Sequence, residues 1–259
     1  VPGAMIAPDG FGAADPNGYV TYTHVLTNTG NYTESFDLTT HSAFGYAVVS
    51  PTHIGLLAAG EAFPGIVARV QLPAHASQSE TEQTEVIATF LDQQTVALDF
   101  TAVNAVSGTR YVATNGSDGN NNCTRPLEYG PCATIQHAVD EAVPEDDIRF
   151  AEGTYDALIT VVIADEPYTQ VVYLDRSVTL QGGYALDAWD IANPVAHLTV
   201  LDAGGQGRVI YVAKGVSPTV AGFHLTGGAV EGAGAGVYVA ANAEPTLRDN
   251  WIHDNTASG

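Results

Sequence analysis

Basic residues are scarce in this chain of 259 residues. It contains 8 Lys and Arg against 29 Asp and Glu, which gives a formal charge of −21. A surface of this sign repels phosphate groups, so we expect neither nucleic acid nor anionic membranes as partners. Long apolar segments are also missing, and no run of about 20 apolar residues exists to span a bilayer.

The sequence is nevertheless that of a folded protein. Only 14% of its residues are charged, whereas 45% are hydrophobic and 27 are glycine. This composition excludes a disordered chain expanded by its own charge. The length allows one large all-β domain or two domains of ordinary size. We therefore expect a globular protein rich in turns.

Cysteine is limited to two residues, Cys123 and Cys132, in a loop rich in Asn, Gly and Pro. Because no second Cys pair or His cluster lies nearby to complete a zinc site, we expect a local disulfide. A disulfide needs an oxidising compartment. Three N-x-[ST] triplets, at Asn31, Asn115 and Asn122, are candidate glycosylation sites. These features favour an extracellular protein, secreted or attached to the cell surface.

Short segments of alternating polarity fill the first hundred residues. Residues 19–26 (YVTYTHVL) alternate and end at a turn signal, Asn-Thr-Gly. Further segments of this kind are residues 35–39, 47–50, 66–72, 86–90 and 96–103. Their spacing predicts a β-sandwich over residues 16–105, preceded by an N-terminal arm of residues 1–15.

Three segments of the predicted sandwich carry a family resemblance: YTHVLTNTG at 22–30, LAAGE at 57–61 and VQLPA at 70–74. The segment resembles the immunoglobulin-like accessory domains of bacterial surface proteins and glycosidases. The resemblance implies a spacer or adhesive module without catalytic residues.

One short helix is predicted within residues 133–143 (ATIQHAVDEAV). Its apolar residues share one face at helical spacing. They are Ile135, Ala138, Val139 and Ala142. Thr134 is the candidate N-cap.

A repeat with an offset of 27 residues relates 210–228 to 237–255, and residues 177–183 (SVTLQGG) form a fainter copy. Each copy holds short strands that are too small to bury their own apolar side but can stack on another copy, which predicts a β-solenoid. Alternation places Tyr211 and Tyr238 outside and four aliphatic pairs inside. The inner pairs are Ile210/Val237, Val212/Val239, Val220/Leu247 and Leu225/Ile252.

The series VATNGSDG, PCATIQHAVDEA, DDIRFAEGTY, VTLQGGY, GFHLTGG, GAGAGVYV and PTLRDNWIHDNTA carries a second resemblance. Residues 106–259 resemble the N-terminal part of the right-handed parallel β-helix of pectate-lyase-like proteins of bacterial surfaces. The resemblance implies that the helix caps the first coil. Because such β-helices run for many coils, we expect either a fragment or an open end that something covers.

Candidate catalytic residues follow from this resemblance, since pectate-lyase-like enzymes use a basic residue beside bound calcium. The basic residues after the cysteine loop form no row in the repeat; they are Arg149, Arg176, Arg208, Lys214 and Arg248. Glycoside hydrolysis instead needs two carboxylates across one cleft. The carboxylates available are Asp146, Asp147, Asp187, Asp190, Asp202, Glu231, Asp249 and Asp254, and no spacing selects a pair. We expect no catalytic site.

Two candidate binding sites remain. Asp118, Asn120 and Asn122 present oxygen ligands at alternate positions, as a calcium site does, although the Glu that closes an EF-hand loop is missing. The alternative is a turn stabilised by Asn side chains, and no other cofactor is expected. Tyr211 and Tyr238, with Trp251, form either an aromatic face for sugar rings or a stack that stabilises the coils.

The expected function is that of an extracellular structural or adhesive protein, the subunit of a head-to-tail homopolymer. An open coil exposes strand edges, and a heterologous contact that does not close makes an open polymer. The expected contacts are Ala4, Met5 and Ile6, which could add as a strand to a neighbouring sheet, and Trp251 with Ile252. Two alternatives stay open: a polysaccharide lyase or glycosidase whose catalytic coils lie beyond residue 259, and a non-catalytic module that binds surface or matrix polysaccharide.

Overall fold

A computed structural model describes residues 1–78, 80–127 and 130–259. The described residues form 24 strands and one short helix, which confirms the prediction of an all-β chain. They divide into two compact units, Val1–Ala105 and Val106–Gly259.

The first unit is a two-sheet β-sandwich. Its strands are β1 (Ala4–Ala7), β2 (Gly10–Ala14), β3 (Tyr19–Asn28), β4 (Glu34–Ser42), β5 (Tyr46–Ser50), β6 (His53–Leu57), β7 (Ala62–Gln71), β8 (Thr81–Phe90) and β9 (Gln93–Val103). The sheets have the orders β1-β3-β7-β5 and β2-β9-β8-β4-β6. Leu26 and Ile66 of one sheet and Phe36 and Val86 of the other belong to one buried core. Alternating polarity thus places one face of each strand inside.

The N-terminal arm is part of this sandwich. β1 pairs antiparallel with β3, from Ala4 opposite Asn28 to Ala7 opposite Val25. β2 pairs parallel with β9 in the other sheet. The expectation of a separate arm that adds as a strand to a neighbouring sheet is wrong, because β1 and β2 pair within this sandwich and Ile6 is buried in its core.

The second unit contains 15 described strands and the helix α1 (Ile135–Glu141). The strands are β10 (Thr109–Val112), β11 (Asp147–Ala151), β12 (Gly153–Tyr155), β13 (Ile159–Ile163), β14 (Glu166–Leu174), β15 (Thr179–Tyr184), β16 (Thr199–Asp202), β17 (Arg208–Val212), β18 (Thr219–Ala221), β19 (Phe223–Thr226), β20 (Ala229–Glu231), β21 (Val237–Val239), β22 (Thr246–Arg248), β23 (Trp251–Ile252) and β24 (Thr256–Ser258).

Three of its sheets grow by one strand with each turn of the chain. Their orders are β10-β11-β15-β18-β22, β12-β16-β19-β23 and β13-β14-β17-β21. Neighbouring strands in them are parallel except for the antiparallel hairpin β13–β14. The fourth sheet pairs β20 with β24, also in parallel.

The 27-residue offset is the register between the last two strands of each of these sheets. Ile210 pairs with Val237, and Tyr211 with Tyr238. The other predicted aliphatic pairs are also opposite each other: Val212/Val239, Val220/Leu247 and Leu225/Ile252. The fainter copy is in register too, since β15 pairs with β18. The stacked pairs predicted from the repeat are confirmed.

Two asparagines fix successive turns to each other at the same offset. The Asn250 side-chain oxygen accepts a hydrogen bond from the Phe223 amide at 3.0 Å, and its Nδ2 donates to the Val220 carbonyl at 2.8 Å. Asn255 makes the equivalent bonds to the Gly228 amide and the Leu225 carbonyl, both at 2.8 Å. Backbone groups at these corners are therefore satisfied by side chains of the next turn.

The predicted helix is confirmed as α1, with the Thr134 side chain accepting from the His137 amide at the N-cap. Ile135, Ala138 and Val139 are buried on its inner face. Among the described residues, no helix is long and apolar enough to cross a membrane.

Candidate functional site

The two cysteines form the predicted disulfide, and both are buried. Beside them, the buried Arg110 guanidinium donates to the Asp146 carboxylate at 3.0 Å and to the carbonyls of Val106 and Asn122 at 2.6 and 2.5 Å. Burial lowers the pKa of Arg110, and the charge of Asp146 opposes this shift. This ion pair and its hydrogen bonds hold the start of the second unit together.

The loop with the predicted calcium ligands uses its oxygens internally. Asp118 accepts hydrogen bonds from the Ala133 and Thr134 amides at 2.7 and 3.1 Å and from the Thr134 hydroxyl at 2.7 Å. The Asn122 side-chain oxygen accepts from the amide and hydroxyl of Thr124 at 3.2 and 2.7 Å. Asn120 is partly buried with a left-handed φ of 49°. These contacts favour the stabilised turn, and calcium binding stays a prediction.

A second metal-like cluster joins Cys123, Cys132 and His137. In the described part of the chain it is the one group of three His, Cys, Asp or Glu side chains whose ligand atoms lie close enough for a metal. Both sulfurs are already bonded to each other. Thiolates are the form that binds zinc, so this cluster is a disulfide site.

Of the three glycosylation candidates, Asn31 and Asn115 are exposed. Asn122 is 2% exposed, and its Nδ2, the atom that would carry a glycan, is buried. The candidate site at Asn122 therefore offers no exposed amide for a glycan in the folded chain.

The tyrosines of the predicted sugar-binding face form a packed ladder. Tyr211 lies between Tyr173 and Tyr238, with ring centroids 5.3 and 4.8 Å away, and contacts Tyr168 at 5.6 Å. It is 6% exposed because neighbouring rings cover it, so it offers no open face to a sugar. Burial raises its pKa. The arrangement supports the alternative in which stacked tyrosines stabilise the coils.

Trp251 has a different environment, with 60% of its surface exposed. It pairs with His224 in the neighbouring strand, and the rings are 4.9 Å apart. The centroid of the His253 ring lies 4.3 Å from that of the indole ring, and the two rings are tilted by 38° to each other. Burial lowers the pKa of His224, and His253 lowers it further, so the imidazole beside Trp251 is neutral at neutral pH.

A groove with two adjoining lobes extends from Trp251, and we name it the Trp251 groove. One lobe of about 370 Å³ is lined by Gln181, Ala192, Pro194, Val195, Arg248 and Asp249. The other, of about 340 Å³, is lined by Pro194, Val195, Leu198, Gly222, His224, Asp249, Asn250 and Trp251. The lobes share three lining residues, Pro194, Val195 and Asp249, and therefore adjoin.

Arg248 and Gln181 were not predicted to belong to one site. The Arg248 guanidinium donates to the Gln181 side-chain oxygen at 3.2 Å and to Asp249 at 3.3 Å. Gln181 pairs with Ala221, and Ala221 with Arg248, so one coil lies between the partners. The small side chain of Ala221 leaves room for their contact. The repeat alignment contains a signal for this contact, because it places Gln181, Ala221 and Arg248 at equivalent positions of successive coils.

The other candidate catalytic arginines have partners as well. Arg149 pairs with Asp147 at 2.9 Å, and Arg176 pairs with Asp175 at 2.7 Å. The Arg208 guanidinium lies 5.3 and 5.1 Å from the ring centroids of Tyr168 and Tyr238. These contacts favour structural roles over proton abstraction.

No family model matches the chain, and no curated protein matches its sequence. Solved structures match parts of it. An ASH/PapD-like domain of human CEP192 is 14% identical with a TM-score of 0.29, over 40% of this chain and 84% of that domain. A FixG-related protein from Vibrio parahaemolyticus is 14% identical with a TM-score of 0.30, over 40% of this chain and 96% of that chain.

A third similar structure is the CsuC–CsuE chaperone–tip adhesion subunit complex of Acinetobacter baumannii. It is 13% identical with a TM-score of 0.28, and the match covers 40% of this chain and 53% of that one. Similarity at this level does not extend to function.

Proposed function

We propose that this chain is an extracellular structural or adhesive protein in which an immunoglobulin-like sandwich precedes the first coils of a right-handed parallel β-helix. The turn-by-turn growth of three parallel sheets supports the β-helix, and the helix α1 serves as its cap. Such an architecture is extended by adding coils, each of which contacts only its neighbours. The buried disulfide supports a location in an oxidising compartment.

The observation that carries this proposal is the in-register stacking of successive coils, in which Ile210 pairs with Val237 and Leu225 with Ile252. The outermost described rung of aliphatic side chains consists of Val239, Leu247 and Ile252. They are 43%, 39% and 47% exposed, whereas their partners one coil earlier are completely buried. A further layer on this rung would remove the side chains from water. It would also pair with the free edges of β21, β22 and β23.

Further coils or another chain can supply such a layer, and we propose a head-to-tail polymer in which a second copy of the chain contacts this rung. In the first unit, β1 is an edge strand whose Met5 side chain is 52% exposed. Because β1 lies at the edge of its own sheet, it can accept a strand from a neighbour rather than donate one. A heterologous contact between the last rung and this edge extends without closing.

The proposal also assigns no catalytic activity to the chain. This part of the proposal is supported by the ion pairs and ring contacts of the candidate catalytic arginines, because a paired guanidinium is not available as a base. These arginines are Arg149, Arg176, Arg208 and Arg248. Release of unsaturated or reducing sugars from polysaccharides by the purified chain, with calcium present, would favour the enzyme alternative.

The test is light scattering with negative-stain electron microscopy on the 259-residue chain and two variants. We expect the wild-type chain to form filaments and Leu247→Lys to remain monomeric, because a charge on the last rung cannot be buried against another copy. Leu186→Lys is the matched control, since Leu186 is 42% exposed elsewhere on the same unit. It should assemble like the wild type. A wild-type monomer at all concentrations contradicts the polymer.

A further inference from the structure

We propose that the Trp251 groove binds a neutral oligosaccharide. This rests on the proposed adhesive function and gives it a ligand class and a surface. The sugar would stack a C–H face on the indole ring and bind through its hydroxyl groups to the polar residues of the neighbouring lobe.

The indole ring is held in place before any ligand arrives. Its contacts with His224 and His253 fix its orientation while 60% of the residue stays exposed. An aromatic side chain ordered in this way loses little conformational freedom on binding. An exposed, preorganised tryptophan provides a flat apolar surface of the size of a sugar ring.

Apolar residues of a loop form another wall of the same groove. Val195 is 90% exposed and Leu198 46% exposed, and Pro194 lines both lobes with Val195. Binding sites for small ligands are usually concave, mostly apolar surfaces with a few polar groups that set the orientation. Clustering of exposed aliphatic side chains around a tryptophan fits such a site.

The polar groups lie in the lobe next to this wall. Arg248 and Asp249 form an ion pair whose side chains are 51% and 71% exposed. The guanidinium can donate hydrogen bonds and the carboxylate can accept them, whereas each sugar hydroxyl does both. A pair of neighbouring hydroxyls can therefore bind Arg248 and Asp249 together, as charge-assisted hydrogen bonds.

Charge selects a neutral ligand over an acidic one. The chain has a net charge of −21, and the only cationic side chain lining the described groove, Arg248, is balanced by Asp249. His224 adds no positive charge at neutral pH, since its pKa is lowered. A sugar carboxylate would meet a repulsive field. Because the two lobes adjoin and have volumes of about 370 and 340 Å³, we propose an oligosaccharide rather than a single sugar as the ligand.

The test is calorimetric titration of the chain with cellohexaose, xylohexaose and mannohexaose, and with hexagalacturonate as the acidic counterpart. We expect one or more neutral hexasaccharides to bind and to protect tryptophan fluorescence from quenching by acrylamide. The protected signal belongs to Trp251, because Trp189 is only 6% exposed. Failure of every neutral sugar to bind at millimolar concentration, or tighter binding of hexagalacturonate, overturns the proposal.

Two variants locate the site. Trp251→Ala should weaken binding about tenfold or more, since stacking on an aromatic ring is lost. Asp249→Asn should also weaken it, and it preserves the fold because asparagine tolerates the left-handed φ of 56° at this position. Tyr32→Ala is the control, with a similarly exposed aromatic ring at 62% in the first unit. Wild-type affinity in both groove variants contradicts the proposed site.

All titrations are repeated on Leu247→Lys, the variant designed to block assembly. Binding by this variant together with a monomeric wild-type chain would refute the polymer and keep the sugar site. Filaments without sugar binding would refute the sugar site and keep the polymer.

Discussion

At the scale of single residues, His24 is the buried group whose protonation is most clearly defined by its surroundings. Its Nδ1 lies 2.8 Å from the Pro8 carbonyl, and its Nε2 lies 3.2 Å from the Asp99 carboxylate. A protonated imidazole donates to both oxygens at once, whereas a neutral ring donates to one. Burial lowers the pKa of His24, but Asp99 and the Pro8 carbonyl outweigh it and raise this pKa above its ordinary value.

The His24 contacts predict a pH-dependent stability for the first unit. Because the folded-state pKa is above the ordinary value of 6.5, the stabilisation is complete below about pH 6.5 and is lost as pH rises through the raised pKa. Urea unfolding from mildly acidic to alkaline pH should show this loss in the wild type and not in His24→Gln. His53→Gln, at a side chain that is 59% exposed, should behave like the wild type. If the free energy of unfolding changed equally with pH in the wild type and in His24→Gln, the raised pKa of His24 would be contradicted.

The candidate site illustrates what single residues reveal before a structure is known. The sequence assigns Trp251 either to an aromatic face for sugar rings or to a stack that stabilises the coils, and the structure exposes it in a groove. Tyr211 was placed beside it, but alternation along a strand does not show which outer side chains are covered by neighbouring turns. Pro194 and Val195 come from a loop outside the repeat, so no periodic pattern could assign them to the groove.

At the scale of elements, the N-terminal strand shows how one strand can serve both its own core and an outer edge. Ile6 is 4% exposed and belongs to the sandwich core, whereas the adjacent Met5 is 52% exposed. The four residue pairs between β1 and β3 hold both side chains in register. Successive side chains of a strand point to opposite faces, which explains the difference.

This strand gives a matched pair of substitutions. Ile6→Ala should lower the free energy of unfolding of the first unit by about 2 kcal/mol or more, because it leaves a cavity in the core. Met5→Ala should change it by less than about 0.5 kcal/mol, as expected for an exposed position. Urea unfolding measures both. Similar losses for the two variants would show that β1 is not docked as described.

Most strands of the first unit could be predicted, since β3, β4, β7, β8 and β9 alternate clearly in polarity. β1 and β2 were missed for physical reasons: AMIA is a short apolar run, and GFGAA contains glycines that weaken strand propensity. β2 pairs with a strand more than 80 residues later, a long-range contact that local patterns do not contain. The hairpin β13–β14 has no counterpart in the repeat.

At the scale of the whole molecule, the repeat carried most of the information about the second unit. An exact offset of 27 residues determines which strands pair and in which register, so the stacked aliphatic pairs followed from the sequence. The exposure of the last rung is a property of the three-dimensional stack. Its proposed partner, another copy, depends on an intermolecular contact that no intrachain pattern encodes.

Amide hydrogen exchange on the 259-residue chain, measured from dilute to concentrated solution, tests the account most directly. In dilute protein, amides of β17, β18 and β19 should be protected, while those of β21, β22 and β23 exchange faster, since one side of their stack is open. As filaments form, β21–β23 and β1 should become protected together. Fast exchange of β21–β23 at every concentration would contradict assembly through the last rung.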